Sequence, residues 1–525
     1  MKKLGLGIQE LSKFKINNYI YVDKTEIIYK LITTGEFYFL SRPRRFGKSL
    51  LVNTMDELFS GNKELFENTW IYDKWDFEDK YQVIKIGVAS LDYFSLGLEH
   101  ALDGFINDFA SKSNIKLLKT GFAEKFKELI VALGKDKPVV ILIDEYDKPI
   151  IDYIEDMGKA EKNRQILKNF YSVVKDCDKY IKLLFITGVS KFSKVSFFSE
   201  LNNLTDITLS KNYSQIVGYT ENEIISNYSE YIVKVEEEFK ISREKALEFI
   251  KLWYNGYSWD GNNFMYNPYS VLSLLNSKSF SNYWFNTGTP TFLTKIIKNR
   301  SIDIDKFETS FEVRRGVFDS YDLESIDINI LLFQAGYLTI KEKIINSEDL
   351  SESYKLAYPN KEVKDSFYDY LIGEFTGIDK TNFFEITKNL KEELEINNIE
   401  GFISRLKTIY SQIPSNIFLK ENESYYHTVI YLILKLLKAD IVEVEKQTNK
   451  GRIDAVILTK KYIFVMEFKM SNVNEALKQI KEKKYYEPYI SDGREVFCVG
   501  VAFDKEERNI KEYKVLTVQE MENYL

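Results

Sequence analysis

Five short apolar runs constrain the fold more than anything else in the chain. They occupy 37–40 (Phe-Tyr-Phe-Leu), 83–88, 139–143 (Val-Val-Ile-Leu-Ile), 183–187 and 204–209, and stretches of helical periodicity separate them. Most of these runs are apolar at nearly every position rather than at every second one. A strand carries such a pattern when both of its faces are covered, as in a parallel sheet held between helices. Strand–helix alternation therefore predicts a doubly wound α/β domain over 1–210.

The full chain of 525 residues has room for two to four cores. From 211 to 400 the pattern is mainly helical. After Glu423 it changes again: a helix over 423–438, a strand near 441–445, a hairpin of 452–458 with 462–469, a helix over 472–486 and a strand over 496–503. Asn472 and Glu475 stand in capping-box spacing at the start of that second helix. This order predicts a small separate α/β domain within 401–525.

Charge and composition narrow the chemistry. The net charge of −7 leaves no global basic footprint for nucleic acid, but 446–484 holds ten Lys/Arg against four Asp/Glu, so a contact with DNA is expected there. With two cysteines, Cys177 and Cys498, and two histidines, His100 and His427, cysteine-ligated zinc and an all-histidine metal site are excluded. Metal ions would be held by oxygen ligands, which points to Mg2+ or Mn2+. The first fifteen residues lack the apolar core of a signal peptide and no run reaches membrane-spanning length, so a soluble, cytoplasmic protein is expected, with no membrane partner.

The first run leads into Ser41-Arg-Pro-Arg-Arg-Phe-Gly-Lys-Ser-Leu50 and then a helix. Gly47-Lys48-Ser49 is the end of a Walker A loop, in which backbone N–H groups at a helix N-terminus cradle phosphates. Arg44, Arg45, Phe46, Gly47, Lys48, Ser49 and Leu50 are the candidate nucleotide-binding residues, with Lys48 on the β/γ-phosphates and Ser49 on Mg2+. Arg42 fills the position of the motif's first glycine. The competing reading is a basic surface loop. The second half of the motif is the run 139–143 ending in Asp144-Glu145, the Walker B arrangement: Asp144 would hold the magnesium shell and Glu145 would polarise the attacking water. The competing reading there is a buried strand capped by charges. Thr187, at the end of a third run, could sense the γ-phosphate or be a plain strand-end hydroxyl.

Tyr21-Val-Asp-Lys-Thr25, the 41–49 loop, Leu142-Ile-Asp-Glu-Tyr-Asp147, Thr187-Gly-Val-Ser-Lys191 and the Phe-Ser-Glu-Leu-Asn-Asn-Leu-Thr-Asp stretch at 198–206 together resemble the AAA-ATPase-like family of bacterial proteins. In that family Arg-Pro-Arg-Arg-Phe-Gly-Lys-Ser is the usual form of Walker A, so the resemblance covers Arg42 as well. It implies an ATP-binding P-loop domain over roughly the first 210 residues. Tyr21–Thr25 would lie near the nucleotide or form a structural turn.

In the C-terminal hairpin, a turn at Thr459-Lys460 would pair Leu458 with Lys461 and set Asp454 opposite Val465, diagonal to Glu467. Glu467 and Lys469, two apart on a strand, share that face. Two carboxylates and a lysine would make a site for a divalent cation and an activated water. The competing reading is the charged outer side of an amphipathic hairpin. Glu423 with His427, and Gln479 with Lys483, each lie four apart on the flanking helices and so share a face.

Glu423-Ser-Tyr-Tyr-His427, Gly451-Arg-Ile-Asp454, Glu467-Phe-Lys469 and Ala476-Leu-Lys-Gln-Ile480, with Tyr485 after them, resemble the PD-(D/E)XK nuclease superfamily. The resemblance implies that Asp454 and Glu467 bind the metal, that Lys469 is the catalytic lysine, that Gln479 is the polar residue of the following helix and that Glu423 completes the metal shell. The superfamily's Pro-Asp reads Ile453-Asp454 here.

The expected protein is thus an ATP-binding and ATP-hydrolysing enzyme whose nucleotide state regulates a C-terminal metal-dependent DNA nuclease. The alternative is a nucleotide-switched protein that binds nucleic acid or a protein without cutting. A third reading is a motor that forms a homo-oligomer through its ATPase domain, although no arginine outside the loop stands out as a finger. His100, Cys177, Cys498, the Glu236–Glu238 run and the aromatic stretches 253–257 and 283–288 read as packing or solvated surface, with base stacking the alternative reading of the aromatic stretches.

Overall fold

The computed structural model describes residues 1–191, 203–285, 306–319, 327–414, 423–437, 441–448 and 451–524; at 319, 380–382, 384, 423, 424, 427, 441–448, 451 and 452 it describes the backbone alone. The chain divides into two compact units, Met1–Phe292 with Lys306–Lys364, and Leu293–Asp305 with Asp365–Leu525.

In the first unit, β1 (Phe37–Ser41), β2 (Val83–Gly87), β3 (Val139–Asp144), β4 (Ile181–Gly188) and β5 (Thr205–Asp206) form one sheet in the order β2-β3-β4-β1-β5. Every pairing in it is parallel. All of β1 and the first five residues of β3 are buried, as the unbroken apolar runs require. The helices Leu98–Lys112, Phe122–Leu133 and Met157–Lys175 share a core with these strands, in which the Phe126 and Phe170 rings stack at 4.3 Å. Each such fully buried ring contributes about 2–3 kcal/mol of transfer free energy. The run expected over 204–209 pairs only through Thr205–Asp206. Because the chain leaving β1 crosses towards β2 while the chain leaving β4 crosses to β5, a crevice opens at the carboxyl ends of these strands.

The rest of this unit is mainly helical, with Ser229–Phe239, Arg243–Tyr254 and Pro268–Ser277 among its helices. Ile20 and Val22 pack into the same core as those helices. It also contains an antiparallel sheet missing from the expected pattern, β6 (Phe311–Arg314), β7 (Thr339–Ile345) and β8 (Glu352–Ala357), in the order β6-β8-β7.

In the second unit, the helix Glu423–Leu436 precedes β9 (Ile441–Thr448), β10 (Gly451–Leu458) and β11 (Tyr462–Lys469); the helix Val473–Lys483 then leads to β12 (Glu495–Asp504) and β13 (Asn509–Thr517). The sheet order is β13-β12-β11-β10-β9, and β11 with β12 is its parallel pair. A parallel neighbour needs a crossover, which Val473–Lys483 supplies. Strand β13 and the helix Val518–Glu522 extend the expected order. Asn472 caps the crossover helix by accepting from the Glu475 N–H at 3.0 Å.

The hairpin turn corrects one expectation. Thr459 N–H donates to the Tyr462 carbonyl at 2.9 Å, so Lys460 and Lys461 form the turn and Leu458 pairs with Ile463. The cause is local: the Thr459 hydroxyl oxygen accepts from the Tyr462 N–H at 3.0 Å and from the Lys461 N–H at 3.4 Å. Moving the turn by one residue moves the register by two, which keeps every side chain on its face.

Candidate functional site

From β1 the chain loops through 42–47 into the helix Lys48–Phe59, with Gly47 as its N-cap at φ +97°, a conformation side chains resist. A cavity of about 410 Å3 opens at this helix end, lined by Gly47, Lys48, Ser49, Glu145, Tyr21 and Tyr219 among others. Unpaired N–H groups and the helix dipole make such an end attractive to phosphate. Lys48 is buried, and its ammonium donates to the carbonyls of Arg42 at 3.0 Å and Pro43 at 2.9 Å. Burial pulls its pKa below the usual lysine range, while Asp144, Glu145 and Asp147 hold it up.

Walker B meets Walker A at Ser49 and Asp144, which are joined by a side-chain hydrogen bond. Burial raises the Asp144 carboxyl and that bond lowers it. Asp144 Oδ1 is buried without a hydrogen-bond partner among the described residues. A buried, unsatisfied carboxylate oxygen beside a hydroxyl is a donor set that fits a hard divalent cation. Glu145 follows at φ +54° and lines the cavity. Thr187 is buried and is not among the residues lining the cavity, whereas Val189 is.

In the second unit the site is built on the β10–β11 hairpin. One step beyond the last ladder pair, Ala455 with Met466, Asp454 stands across from Glu467. Lys469 Nζ lies 2.9 Å from Glu467 Oε1. Glu467 is fully buried and its carboxyl is pushed up to about 7, by burial first and then by the charge of Asp454, with Lys469 opposing both. The Gln479 amide reaches the Tyr485 hydroxyl at 3.5 Å, and Tyr485 in turn feels the charges of Glu467 and Asp454. Among the described residues no group of three or more His, Cys, Asp or Glu side chains converges as a metal site. A cation here would rest on Asp454 and Glu467, with water or phosphate oxygens completing its shell. The side chains of Glu423 and His427 lie outside the described residues.

Two family models match the chain. Residues 5–198 match the family model described as predicted AAA-ATPase, and residues 421–513 match that of the PD-(D/E)XK nuclease superfamily. A relative from Azotobacter chroococcum mcd 1, named as an uncharacterized protein in the vnfD 5' region, is 34% identical over 527 residues, which span 97% of this chain and 98% of the relative. The chain belongs to the AAA-ATPase-like family. It carries a PD-(D/E)XK superfamily domain at its C-terminal end.

Within this AAA-ATPase-like chain several residues do work that the sequence did not announce. Arg42 is no surface arginine. Fully buried, it donates to the carbonyls of Ser41 and Thr208 at 2.8 Å each and lies 4.0 Å from the centre of the Trp259 ring. It therefore anchors the loop from beneath, leaving Arg44 and Arg45 nearer to solvent. The aromatic stretches also touch the loop: Phe46 packs edge-on against Tyr257 at 4.7 Å and the Trp284 indole donates to the Arg44 carbonyl at 3.1 Å, while Arg45 lies over Tyr269 of the helix Pro268–Ser277 at 5.0 Å. Leu50 lines the cavity beside Ser49. Tyr21 and Lys24 do too, while Asp23 accepts from the N–H groups of Thr25 at 2.8 Å and Trp70 at 2.6 Å, so that segment is both wall and turn. Parts of two quoted stretches, 198–202 and 286–288, lie outside the described residues.

No helix among the described residues is long and apolar enough to cross a membrane. Cys177 and Cys498 are free and buried, and burial pushes their thiols up to about 11 and about 12. Neither is a thiolate at neutral pH.

Proposed function

We propose that the chain binds and hydrolyses ATP in its first unit and that the nucleotide state regulates Mg2+- or Mn2+-dependent cleavage of DNA by its second unit. The observation that carries this reading is the presence, in one chain, of two phosphate-chemistry sites. Lys48, Ser49 and Glu145 line one cavity, with Asp144 joined to Ser49 by a side-chain hydrogen bond, and Asp454, Glu467 and Lys469 meet across one hairpin.

In the first site the helix N-terminus and Lys48 would hold the β- and γ-phosphates, and Ser49 with Asp144 would hold Mg2+. Glu145 would accept a hydrogen bond from the attacking water and orient it towards the γ-phosphorus. In the second, Asp454 and Glu467 would hold the cation, whose chemistry is to lower the pKa of a water and to draw charge from the scissile phosphate. Lys469 would place its ammonium beside that water or the developing negative charge, and Gln479 with Tyr485 would border the bound strand. The basic excess over 446–484 supports a polyanionic substrate.

The test is cleavage of plasmid, linear duplex and single-stranded DNA with Mg2+ or Mn2+, in the presence of ATP, a non-hydrolysable analogue or neither, with Asp454→Ala as control. Cutting that needs the metal, disappears in the variant and changes with nucleotide supports the whole reading. Nucleotide-independent cutting removes the regulation. Intact ATP turnover without any cutting points instead to a nucleotide-switched binding protein.

A further inference from the structure

We propose that Asp147 is a positioning residue for Glu145: it clamps the end of β3 to the end of β4, and so holds the Glu145 backbone in the left-handed conformation that presents its carboxylate to the nucleotide cavity. The inference rests on the ATPase reading above and extends it to a residue that borders the same cavity but whose carboxylate is engaged by the end of β4.

Glu145 is the last place where a chain would choose this backbone. Its φ is +54°, a region that costs an L-residue with a long side chain a steric clash and that persists only when the surroundings impose it. The turn's own Lys148 N–H to Glu145 carbonyl bond, 3.1 Å, closes it but does not fix its direction. The next two residues do. Tyr146 N–H donates to the Thr187 carbonyl at 3.1 Å, and the Tyr146 hydroxyl donates to the Ser190 carbonyl at 2.8 Å. Asp147, 1% exposed, accepts on one carboxylate oxygen from the Val189 N–H at 3.0 Å, the Ser190 N–H at 2.6 Å and the Ser190 hydroxyl at 2.7 Å.

Both strands are shaped for this contact. A Cβ at Gly188 would lie 2.6 Å from Asp147 Oδ1 and 2.6 Å from the Tyr146 ring, so no side chain fits where the β3 and β4 ends meet. Three donors on one buried oxygen tie Asp147 to the rigid end of β4. The residue two places before it has its backbone set as a consequence. Val189, held by the same clamp, itself lines the cavity.

A merely structural acid would lower stability, nucleotide affinity and rate together, whereas a positioning acid lowers the rate at constant affinity. The experiment measures three things on the full chain: steady-state Mg-ATP hydrolysis, affinity for a non-hydrolysable ATP analogue, and the melting temperature. Asp147→Ala is expected to lower kcat at least tenfold with analogue affinity within about threefold of the parent, since the phosphate loop is untouched. Asp147→Asn, whose amide oxygen can take the same donors, is expected to restore most of the rate. In a Glu145→Gln background, Asp147→Ala is expected to add nothing.

An unchanged kcat in Asp147→Ala, a loss of affinity in proportion to rate, or an equal further loss in the Glu145→Gln background would each overturn the proposal. If Asp147→Ala does not fold, Ser190→Ala, which removes one donor, decides by the same three measurements: a smaller kcat loss at constant affinity supports the proposal and a parental kcat overturns it. A parent chain that does not turn over ATP overturns the ATPase reading itself, whereas parental turnover retained in the variants overturns only the positioning role.

Discussion

The Asp454 N–H points at the Glu467 carboxylate, 3.4 Å from Oε2, and Asp454 Oδ2 in turn accepts from the Phe468 N–H at 2.8 Å. Side chains here take over from the regular β10–β11 ladder, which ends one pair earlier at Ala455 and Met466. Each carboxylate is thereby oriented by the strand that carries the other. Their mutual charge and burial place the Glu467 carboxyl at about 7.

A cation at this pair must displace that proton, so Mn2+ affinity is expected to rise with pH up to about 7 and to level off above it. Glu467→Gln has no such proton to lose. Calorimetric Mn2+ titrations between pH 6 and 8 should show the slope in the parent and a pH-independent affinity, weaker by roughly 100-fold, in the variant. Equal affinities in the two proteins would place the metal elsewhere.

At the other site, Lys48→Ala removes the buried ammonium held by the carbonyls of Arg42 and Pro43. A charge-assisted contact to phosphate contributes about 2–3 kcal/mol, so affinity for an ATP analogue should fall roughly 30- to 150-fold. Adenosine, which lacks phosphates, should bind both proteins equally.

Trp284→Phe probes the aromatic prop. The ring contact with Tyr337, centroids 5.4 Å apart, survives the change in outline, but the indole bond to the Arg44 carbonyl is lost. Losing one such bond costs about 1 kcal/mol, so analogue affinity should drop about fivefold with little change in melting temperature. A variant that melts much lower while binding normally would make Trp284 a core residue only.

What the sequence revealed and what it hid follow from range. Unbroken apolar runs announce a two-sided parallel sheet because the information is local, and so β1, β3 and β4 were legible. Strand β13 and the sheet of β6, β7 and β8 were not, since segments such as Thr339–Ile345 and Asn509–Thr517 carry charged residues and bury few positions. The pairing of Asp454 with Glu467 on one face could be read from the pleat despite the misplaced turn, because an error of two residues preserves the face. The long-range partners of Asp147, Arg42 and Arg44 could not be read at all: they lie between 42 and 240 residues away.

Glu362 supplies a pH test confined to the first unit. Its carboxylate is fully buried, accepts from the Trp284 N–H at 2.7 Å and the Ser270 hydroxyl at 2.8 Å, and is pushed up to about 7, chiefly by burial. In the unfolded chain it titrates near its ordinary value of 4.5. Between these values the folded state keeps a proton that the unfolded state has released. Stability from this group is therefore full below pH 4.5, falls as pH rises through about 7, and is constant above that. The whole effect is on the order of 3 kcal/mol. Glu362→Gln keeps an acceptor for the Trp284 N–H, can donate its amide N–H to the Ser270 hydroxyl oxygen as a protonated carboxyl would, and cannot ionise, so it should match the parent at pH 5 and exceed it in stability at pH 8. Other buried groups in the unit, Asp144 and Asp147 among them, also titrate, but they do so in both proteins and cancel in the difference. All five tryptophans, Trp70, Trp75, Trp253, Trp259 and Trp284, lie in the first unit, so urea unfolding followed by tryptophan fluorescence reports on it selectively. Parallel unfolding midpoints for parent and variant from pH 5 to 8 would show that the Glu362 proton is not linked to folding.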